Sequence, residues 1–228
     1  MSGPGGDGMG DAVWRLPRSA EEEAEEAWFL RWYGAWDPLD PAGVAALLEG
    51  FGRPWWLIGG WAIEAFTGRR REHEDMDISL LACDVPALRE HLGDDWTIWS
   101  NQGGTLRPLD ARHPEPLAPD GQLWVRRSAS QPWVLDIPTT PDDDGRWTNK
   151  RLPSHTATVD EVTWVTDEGL RCQRPEIVLL FKGAQDRPKD RRDLEVTWPL
   201  LDDIRRDWLR STLAAAYGPD HPWLALLR

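Results

Sequence analysis

The sequence predicts an α+β protein, in which a mixed β-sheet flanked by helices is followed by a helical C-terminal part. Short apolar runs bounded by glycine, proline or aspartate recur up to about residue 165, which is typical of strands in a sheet. Residues 75–82 alternate polar and apolar side chains, as a strand with one buried face does. From residue 175 the apolar spacing is helical to the end of the chain.

The predicted elements follow one another without an internal repeat. Acidic residues after Ser19 predict a first helix, and Asp40-Pro41 predicts the start of a second. Gly59-Gly60 predicts a tight turn. The prediction comprises helices at 19–36, 41–51, 61–67, 85–92, 176–184, 190–198 and 203–217, a short terminal turn, strands at 54–58, 75–82, 96–99, 123–126, 133–137 and 159–165, and loops at 103–121 and 138–154.

The composition limits the function classes. The chain has 228 residues, of which 40% are hydrophobic, so it can bury a core. Its 39 acidic residues exceed its 26 basic ones, and a net charge of −13 repels phosphate backbones. We therefore expect no nucleic-acid partner and favour a cationic small molecule. The 16 tryptophans suit either a core or stacking on a ligand.

Cysteine content and hydropathy indicate a reduced, cytoplasmic protein. Cys83 and Cys172 allow one bridge but neither a disulfide framework nor a four-cysteine zinc site. Residues 1–10 are polar and glycine-rich, unlike a secretory signal. The most apolar stretch, 55–66, falls short of the roughly 20 residues of a membrane span. We expect no membrane partner and either a monomer or a homodimer.

Two carboxylates form the sharpest motif. Asp75 and Asp77 stand two apart on a predicted strand and so share a face, which is a geometry for bridging divalent cations. A solvated strand face is the alternative, but the apolar residues that follow indicate a core strand. Asp136 interrupts another apolar strand and needs a partner. If the two strands are neighbours, three carboxylates converge as two-metal phosphoryl chemistry requires; otherwise Asp136 is a hydrogen-bonded residue at a strand end.

Glycines and basic residues supply candidate phosphate contacts. Gly59 and Gly60 precede a helix, where free N–H groups favour an anion, although many such pairs are only tight turns. Lys182 ends an apolar helical run and can either reach a triphosphate or extend to solvent. Asp190 is predicted to be a helix N-cap.

These motifs resemble a known family. Segments 59–63 (GGWAI), 68–69 (GR) and 71–78 (REHEDMDI) resemble the signature of the small antibiotic nucleotidyltransferases, the aminoglycoside 2''-adenylyltransferase and lincosamide nucleotidyltransferase relatives within the DNA polymerase beta-like superfamily. Segment 174–182, with 187–190 and 193–194, is similar to the C-terminal helical segment of the same group. Glu64 and Met76 depart from the family pattern, where aspartate and isoleucine or leucine are usual.

The resemblance implies a nucleotidyltransferase-type mixed sheet and a mechanism. We expect a flexible leader at 1–18, a nucleotidyltransferase domain at 19–173 and a helical region at 174–228 that closes the cleft. It implies two Mg²⁺ ions and ATP as co-substrate, an acceptor hydroxyl that attacks the α-phosphate, and loss of pyrophosphate. The implied residues are the metal ligands Asp75, Asp77 and Asp136, with Asp136 also as base, and the nucleotide-binding Gly59, Gly60, Arg71, His73 and Lys182.

The expected reaction is therefore transfer of AMP to a small, cationic, antibiotic-like acceptor of aminoglycoside or lincosamide type. The acidity of the chain agrees, because aminoglycosides are polycations. Two alternatives stay open: a nucleotidyltransferase that modifies a protein, as in toxin neutralisation, and a non-catalytic nucleotide-binding relative.

Overall fold

A mixed β-sheet runs through the centre of the computed structural model, which describes residues 19–227. The sheet contains two four-stranded parts, ordered β10-β11-β1-β2 and β6-β5-β3-β4, and a separate three-stranded sheet is ordered β7-β8-β9. The strands are β1 Trp55–Leu57, β2 Ile78–Leu80, β3 Thr97–Gln102, β4 Thr105–Pro108, β5 Gln122–Arg126, β6 Leu135–Pro138, β7 Asp142–Asp143, β8 Arg146–Thr148, β9 Thr156–Ala157, β10 Thr163–Val165 and β11 Arg171–Gln173.

Helices cover the sheet and form the C-terminal part, which confirms the predicted α+β class. The helices are α1 Ala20–Tyr33, α2 Pro41–Leu47, α3 Gly59–Thr67, α4 Val85–Leu92, α5 Val159–Val162, α6 Pro175–Gly183, α7 Pro188–Thr197, α8 Asp203–Tyr217 and α9 Pro222–Leu226. Helix α6 is buried because it packs against α3, α7 and α8. Helix α6 follows β11 directly, so it joins the sheet to the helical part.

The two four-stranded parts join where β2 runs beside β6. Isolated parallel bridges pair Asp77 with Asp136 and Leu81 with Thr140. The N–H of Thr140 donates to the carbonyl of Leu80 at 2.9 Å, which continues the ladder between the two parts. This junction carries the strand ends on which the candidate site is built.

The core lies on both faces of the sheet. Leu57, Ile78 and Leu80 point into the larger cluster, together with residues of α3, α4 and α6. Trp56 points the other way, into a smaller cluster with Trp147 of β8. Alternation along β1 therefore fills two cores, as the period of a strand requires.

Several predicted elements differ from the structure. The predicted strand at 159–165 is wrong in its first half, because Thr158 and Glu161 form a capping box and begin α5. The predicted strand at 75–82 is shorter: only Ile78–Leu80 is strand, and Asp75 lies in a bend. The expected loops contain β4 and the β7–β8 hairpin, whose turn places Asp144 and Gly145 at positive φ.

Four other expectations concern the leader, the domain boundary, the cysteines and the membrane. The predicted leader at 1–18 lies outside the described residues, and the division into domains at residue 174 stays a prediction. Cys83 is exposed and Cys172 is buried, and both are free thiols. Among residues 19–227, no helix combines the length and the apolar character needed to cross a membrane.

Candidate active site

Gly59 and Gly60 begin α3 directly at the end of β1. The helix begins earlier than the predicted residue 61: Ile58 is the N-cap, and α3 starts at the two glycines, the first of which has the positive φ of a tight turn. Ile58 offers no side-chain cap, and the opening N–H groups of a helix have no acceptor within it. This end of α3 thus presents backbone donors toward the strand ends beside it.

Close contacts leave no room for a side chain at either glycine. A Cβ added to Gly59, which has φ +59°, would lie 2.7 Å from Oδ2 of Asp77. A Cβ added to Gly60 would overlap the guanidinium of Arg71. The absent side chains therefore let one carboxylate and one guanidinium lie directly against the start of α3.

Asp77 and Asp136 stand side by side at the junction of β2 and β6. They form a parallel bridge, and the N–H of Asp136 donates to the carbonyl of Met76 at 2.9 Å. Burial, reinforced by the charge of Asp75, raises the pKa of Asp77 to about 7. Burial, followed by the charges of Asp77 and Asp75, raises the pKa of Asp136 well above its usual range.

The two oxygens of Asp136 have different surroundings. Gln122 Nε2 donates to Oδ2 at 3.2 Å, whereas Oδ1 is buried and makes no hydrogen bond of good geometry. Trp124, paired with Asp136 across the ladder, also interacts with the carboxylate and lowers its pKa in part. Sequence reasoning missed Gln122, because no local pattern links a glutamine on β5 to a carboxylate on β6. The lone polar residue at the start of the apolar run 122–125 was the available signal.

The charge of Asp75 acts on Asp77 and Asp136, although Asp75 is not part of the strand bridge between them. It lies in the bend before β2, and its carbonyl accepts a hydrogen bond from Trp61 Nε1 at 3.2 Å. Its charge contributes to the raised pKa values of Asp77 and Asp136. The structure therefore brings two of the three predicted carboxylates into direct apposition and holds the third within electrostatic range.

The carboxylate pair fits a hard cation. Its oxygens are the ligands that Mg²⁺ prefers, and the unpartnered Oδ1 of Asp136 is a buried acceptor without a donor. Across residues 19–227, however, no group of three or more His, Cys, Asp or Glu side chains is placed to hold a metal ion. Joint ligation by Asp75, Asp77 and Asp136 stays a prediction.

Arg71 and His73 both contact the region around α3. Arg71 lies over Gly60, and its Nε is 3.7 Å from Oδ1 of Asp193. His73 shares a 2.8 Å hydrogen bond with Glu64 and stacks on Trp61 at a ring distance of 3.8 Å. Burial lowers the pKa of His73, although Glu64 opposes the shift. The hydrogen bond to Glu64 and the stacking on Trp61 hold the imidazole in place beside α3.

Lys182 is buried in an ion-pair network. Its Nζ lies 3.1 Å from Oδ1 of Asp190 and 2.8 Å from Oδ2 of Asp193, and both carboxylates are almost fully buried. Arg187 holds Asp190 through its Nε at 2.8 Å. The prediction that Asp190 is an N-cap is wrong: Arg187 is the N-cap of α7, and Asp190 stands three residues later. The positive charge of Lys182 nevertheless reaches Asp77, whose pKa it lowers in part.

Two comparisons relate this fold and site to the nucleotidyltransferases. Residues 42–101 match the family model for aminoglycoside-2''-adenylyltransferase. That segment holds the two glycines, Arg71, His73 and the Asp75–Asp77 pair, whereas Asp136 and Lys182 lie outside it.

A solved structure supports the same fold. The chain is similar to a crystal structure of ANT(2'')-Ia in complex with adenylyl-2''-tobramycin, with a TM-score of 0.50 and 14% sequence identity. The match covers 76% of this chain and 94% of that one. No curated protein matches the chain in sequence.

These matches confirm the resemblance to the aminoglycoside adenylyltransferase-like family. The solved structure confirms the predicted nucleotidyltransferase-type fold, and the family model supports the prediction of an enzyme of the nucleotidyltransferase class.

Proposed function

We propose that this protein transfers AMP from ATP to a hydroxyl of a small cationic acceptor of the aminoglycoside type, with Mg²⁺ as the metal. One observation carries the proposal: two carboxylates, the half-buried Asp77 and the buried Asp136, stand together beside the glycine start of a helix. Like charges this close are costly unless a cation neutralises them. The family match over residues 42–101 supports the acceptor class.

In the proposed reaction an acceptor hydroxyl attacks the α-phosphorus of ATP. A new bond forms between the hydroxyl oxygen and phosphorus, and the bond from phosphorus to the bridging oxygen breaks, so that pyrophosphate leaves. The hydroxyl proton passes to the Asp136 carboxylate. In its ionised form Asp136 is a stronger base than an ordinary aspartate, because burial raises its pKa, and Oδ1, which makes no hydrogen bond, is the atom available for the proton.

Positive groups near the carboxylates would bind the phosphates. Backbone N–H groups of Gly59 and Gly60 favour an anion, and Arg71 lies against them. Lys182 acts at longer range, because its ammonium is already paired with Asp190 and Asp193. Asp77, Asp136 and Asp75 would hold Mg²⁺, which when bound neutralises phosphate charge and positions the reacting groups.

The acceptor class follows from charge as well as from the family. A chain with a net charge of −13 attracts polycations, and aminoglycosides carry several ammonium groups. The acceptor hydroxyl is expected to approach from the side of Asp136, because Arg71 and α3 lie on the side of Asp77.

The test is incubation of the full chain with ATP, MgCl₂ and a panel of aminoglycosides and lincosamides. Mass spectrometry of the acceptor and pyrophosphate release are the readouts. We expect an aminoglycoside to gain one AMP unit. Asp77→Asn and Asp136→Asn should abolish the gain, whereas Asp94→Asn, an exposed carboxylate near the end of α4, should not.

Other outcomes separate the alternatives. Labelled AMP that appears on protein bands, with no modified small molecule, would favour a protein-modifying enzyme. Unchanged ATP affinity in Asp77→Asn, together with no transfer by the wild-type chain, would favour a non-catalytic relative. Modification of lincosamides alone would keep the reaction class and overturn the acceptor class.

A further inference from the structure

Gln122 reaches the candidate base from a neighbouring strand. We propose that Gln122, supported by Asn101, is a positioning residue that fixes the orientation of the Asp136 carboxylate. The inference rests on the proposed function, in which Asp136 accepts the proton of the acceptor hydroxyl. Gln122 itself touches neither substrate nor metal in this proposal, and it acts through Asp136.

Three adjacent strands bring these side chains together. Asn101 on β3 is paired with Gln122 on β5, and Trp124 on β5 is paired with Asp136 on β6. Gln122 is therefore diagonal to Asp136 on the same side of the ladder, within reach of a long side chain. Gln122 Nε2 lies 3.2 Å from Asp136 Oδ2, and Asn101 Nδ2 lies 3.4 Å from Gln122 Oε1.

The direction of these hydrogen bonds follows from the chemistry of their end point. In the ionised form that the role of base requires, the carboxylate of Asp136 only accepts, so the amide of Gln122 turns its NH₂ toward it. Its Oε1 is then left facing Asn101, whose NH₂ donates to it. Asn101 is 8% exposed, and its own Oδ1 has no partner. These hydrogen bonds form a relay that runs from Asn101 through Gln122 to Asp136. Each NH₂ group in it donates toward the Asp136 carboxylate.

This arrangement makes the two oxygens of Asp136 unequal. Oδ2 is engaged by Gln122, while Oδ1 is buried and unpartnered. Trp124, paired with Asp136 across the ladder, also interacts with the carboxylate. Without the Gln122 donor, Oδ2 would lose its hydrogen bond, and the carboxylate could rotate and exchange the two oxygens. With it, one oxygen is held ready to accept a proton. Ordering a reactive group in this way is a contribution of supporting residues that leaves substrate binding untouched.

The test compares Gln122→Met with Gln131→Met in the full chain. Methionine keeps the length of glutamine but lacks the donor, and Gln131 is exposed in the loop after β5. We expect Gln122→Met to lower kcat by about 10–100-fold, the range for residues that support a metal ligand or catalytic group. KM for ATP and for the acceptor should stay at the wild-type values. Gln131→Met should match the wild type in every parameter.

Two further variants separate positioning from folding. Gln122→Glu keeps the size of the side chain but sets an acceptor against Asp136, so it should lose kcat as Gln122→Met does. Asn101→Ala removes only the outer donor and should lose less. Wild-type kcat in Gln122→Met, or a rise in KM that accounts for the whole loss, would overturn the inference.

A second readout needs no activity. In the full chain without ATP or metal, the side-chain NH₂ resonances of Gln122 and Asn101 should both move in Asp136→Leu, because the end point of the relay is lost. Unmoved resonances would overturn the inference. If the wild-type chain modifies no acceptor at all, the proposed function fails, and these resonances still decide whether Gln122 holds Asp136.

Discussion

Asp77 and Asp136 face each other across a parallel strand bridge, although 59 positions separate them in the chain. Burial raises the pKa of both carboxylates, and the charge of Asp77 raises the pKa of Asp136 further. The pair therefore destabilises the folded state in the absence of a cation, and it provides the ligands for a cation that binds there. The first two predictions follow from this balance.

The first prediction concerns the stability of the metal-free protein against pH. The folded pKa of Asp77 is about 7, above the ordinary 3.8, so the folded chain holds a proton that the unfolded chain releases. Its stabilising contribution is complete below about pH 3.8 and is lost as the pH rises through about 7. We expect Asp77→Asn to be more stable than the wild type by about 1–3 kcal/mol at pH 8, with the difference shrinking at pH 5.

Denaturant unfolding in EDTA at pH 5 and pH 8 measures this difference. Asp94→Asn is the matched control and should track the wild type at both values. Equal stability of Asp77→Asn and the wild type at pH 8 would show that burial and the charge of Asp75 do not raise the pKa of Asp77.

The second prediction concerns metal binding. Mg²⁺ that binds only the folded state raises its stability, by about 2.7 kcal/mol at a hundred times the Kd. We expect MgCl₂ to raise the Tm of the wild type at pH 8 and to leave the Tm of Asp77→Asn and Asp136→Asn unchanged. NaCl at the same ionic strength serves as the control. A shift of the same size in all three proteins would place the metal elsewhere.

The third prediction concerns Gly60. A Cβ at this position overlaps the Arg71 guanidinium, so Gly60→Ala should displace Arg71 and cost about 1–3 kcal/mol. It should also weaken ATP binding, which calorimetry measures. The double variant Gly60→Ala/Arg71→Ala removes the overlap and should have the stability of Arg71→Ala alone. If the double variant instead loses the sum of both effects, the clash is not with Arg71.

The fourth prediction concerns the buried ion pairs of α6 and α7. Lys182→Met leaves Asp190 and Asp193 buried without their ammonium partner, so we expect a loss of about 3–5 kcal/mol in unfolding free energy. Lys189→Met breaks only a partly exposed pair with Glu74 and should cost less than about 1 kcal/mol. Similar losses in both variants would contradict the burial of the Lys182 network.

Local sequence signals predicted much of the helical structure. Helices α4 and α8 occupy the predicted residues 85–92 and 203–217, because their apolar spacing and flanking caps act over a single turn. The same signals failed at 159–165, where β-branched residues favoured a strand but the Thr158–Glu161 capping box began a helix. The side-chain hydrogen bonds of the capping box decided between strand and helix here, and residue propensities take no account of such bonds.

The chain by itself determined the residue types of the site and the order in which they occur. The glycine pair and the Asp75–Asp77 motif are local, and they indicated a nucleotidyltransferase without coordinates. Only the tertiary structure decided that β2 lies beside β6, which brings Asp136 to Asp77, and that Gln122 holds Asp136. Strand neighbours are chosen by long-range packing and backbone hydrogen bonding, so contacts that span β2, β5 and β6 have no local signature.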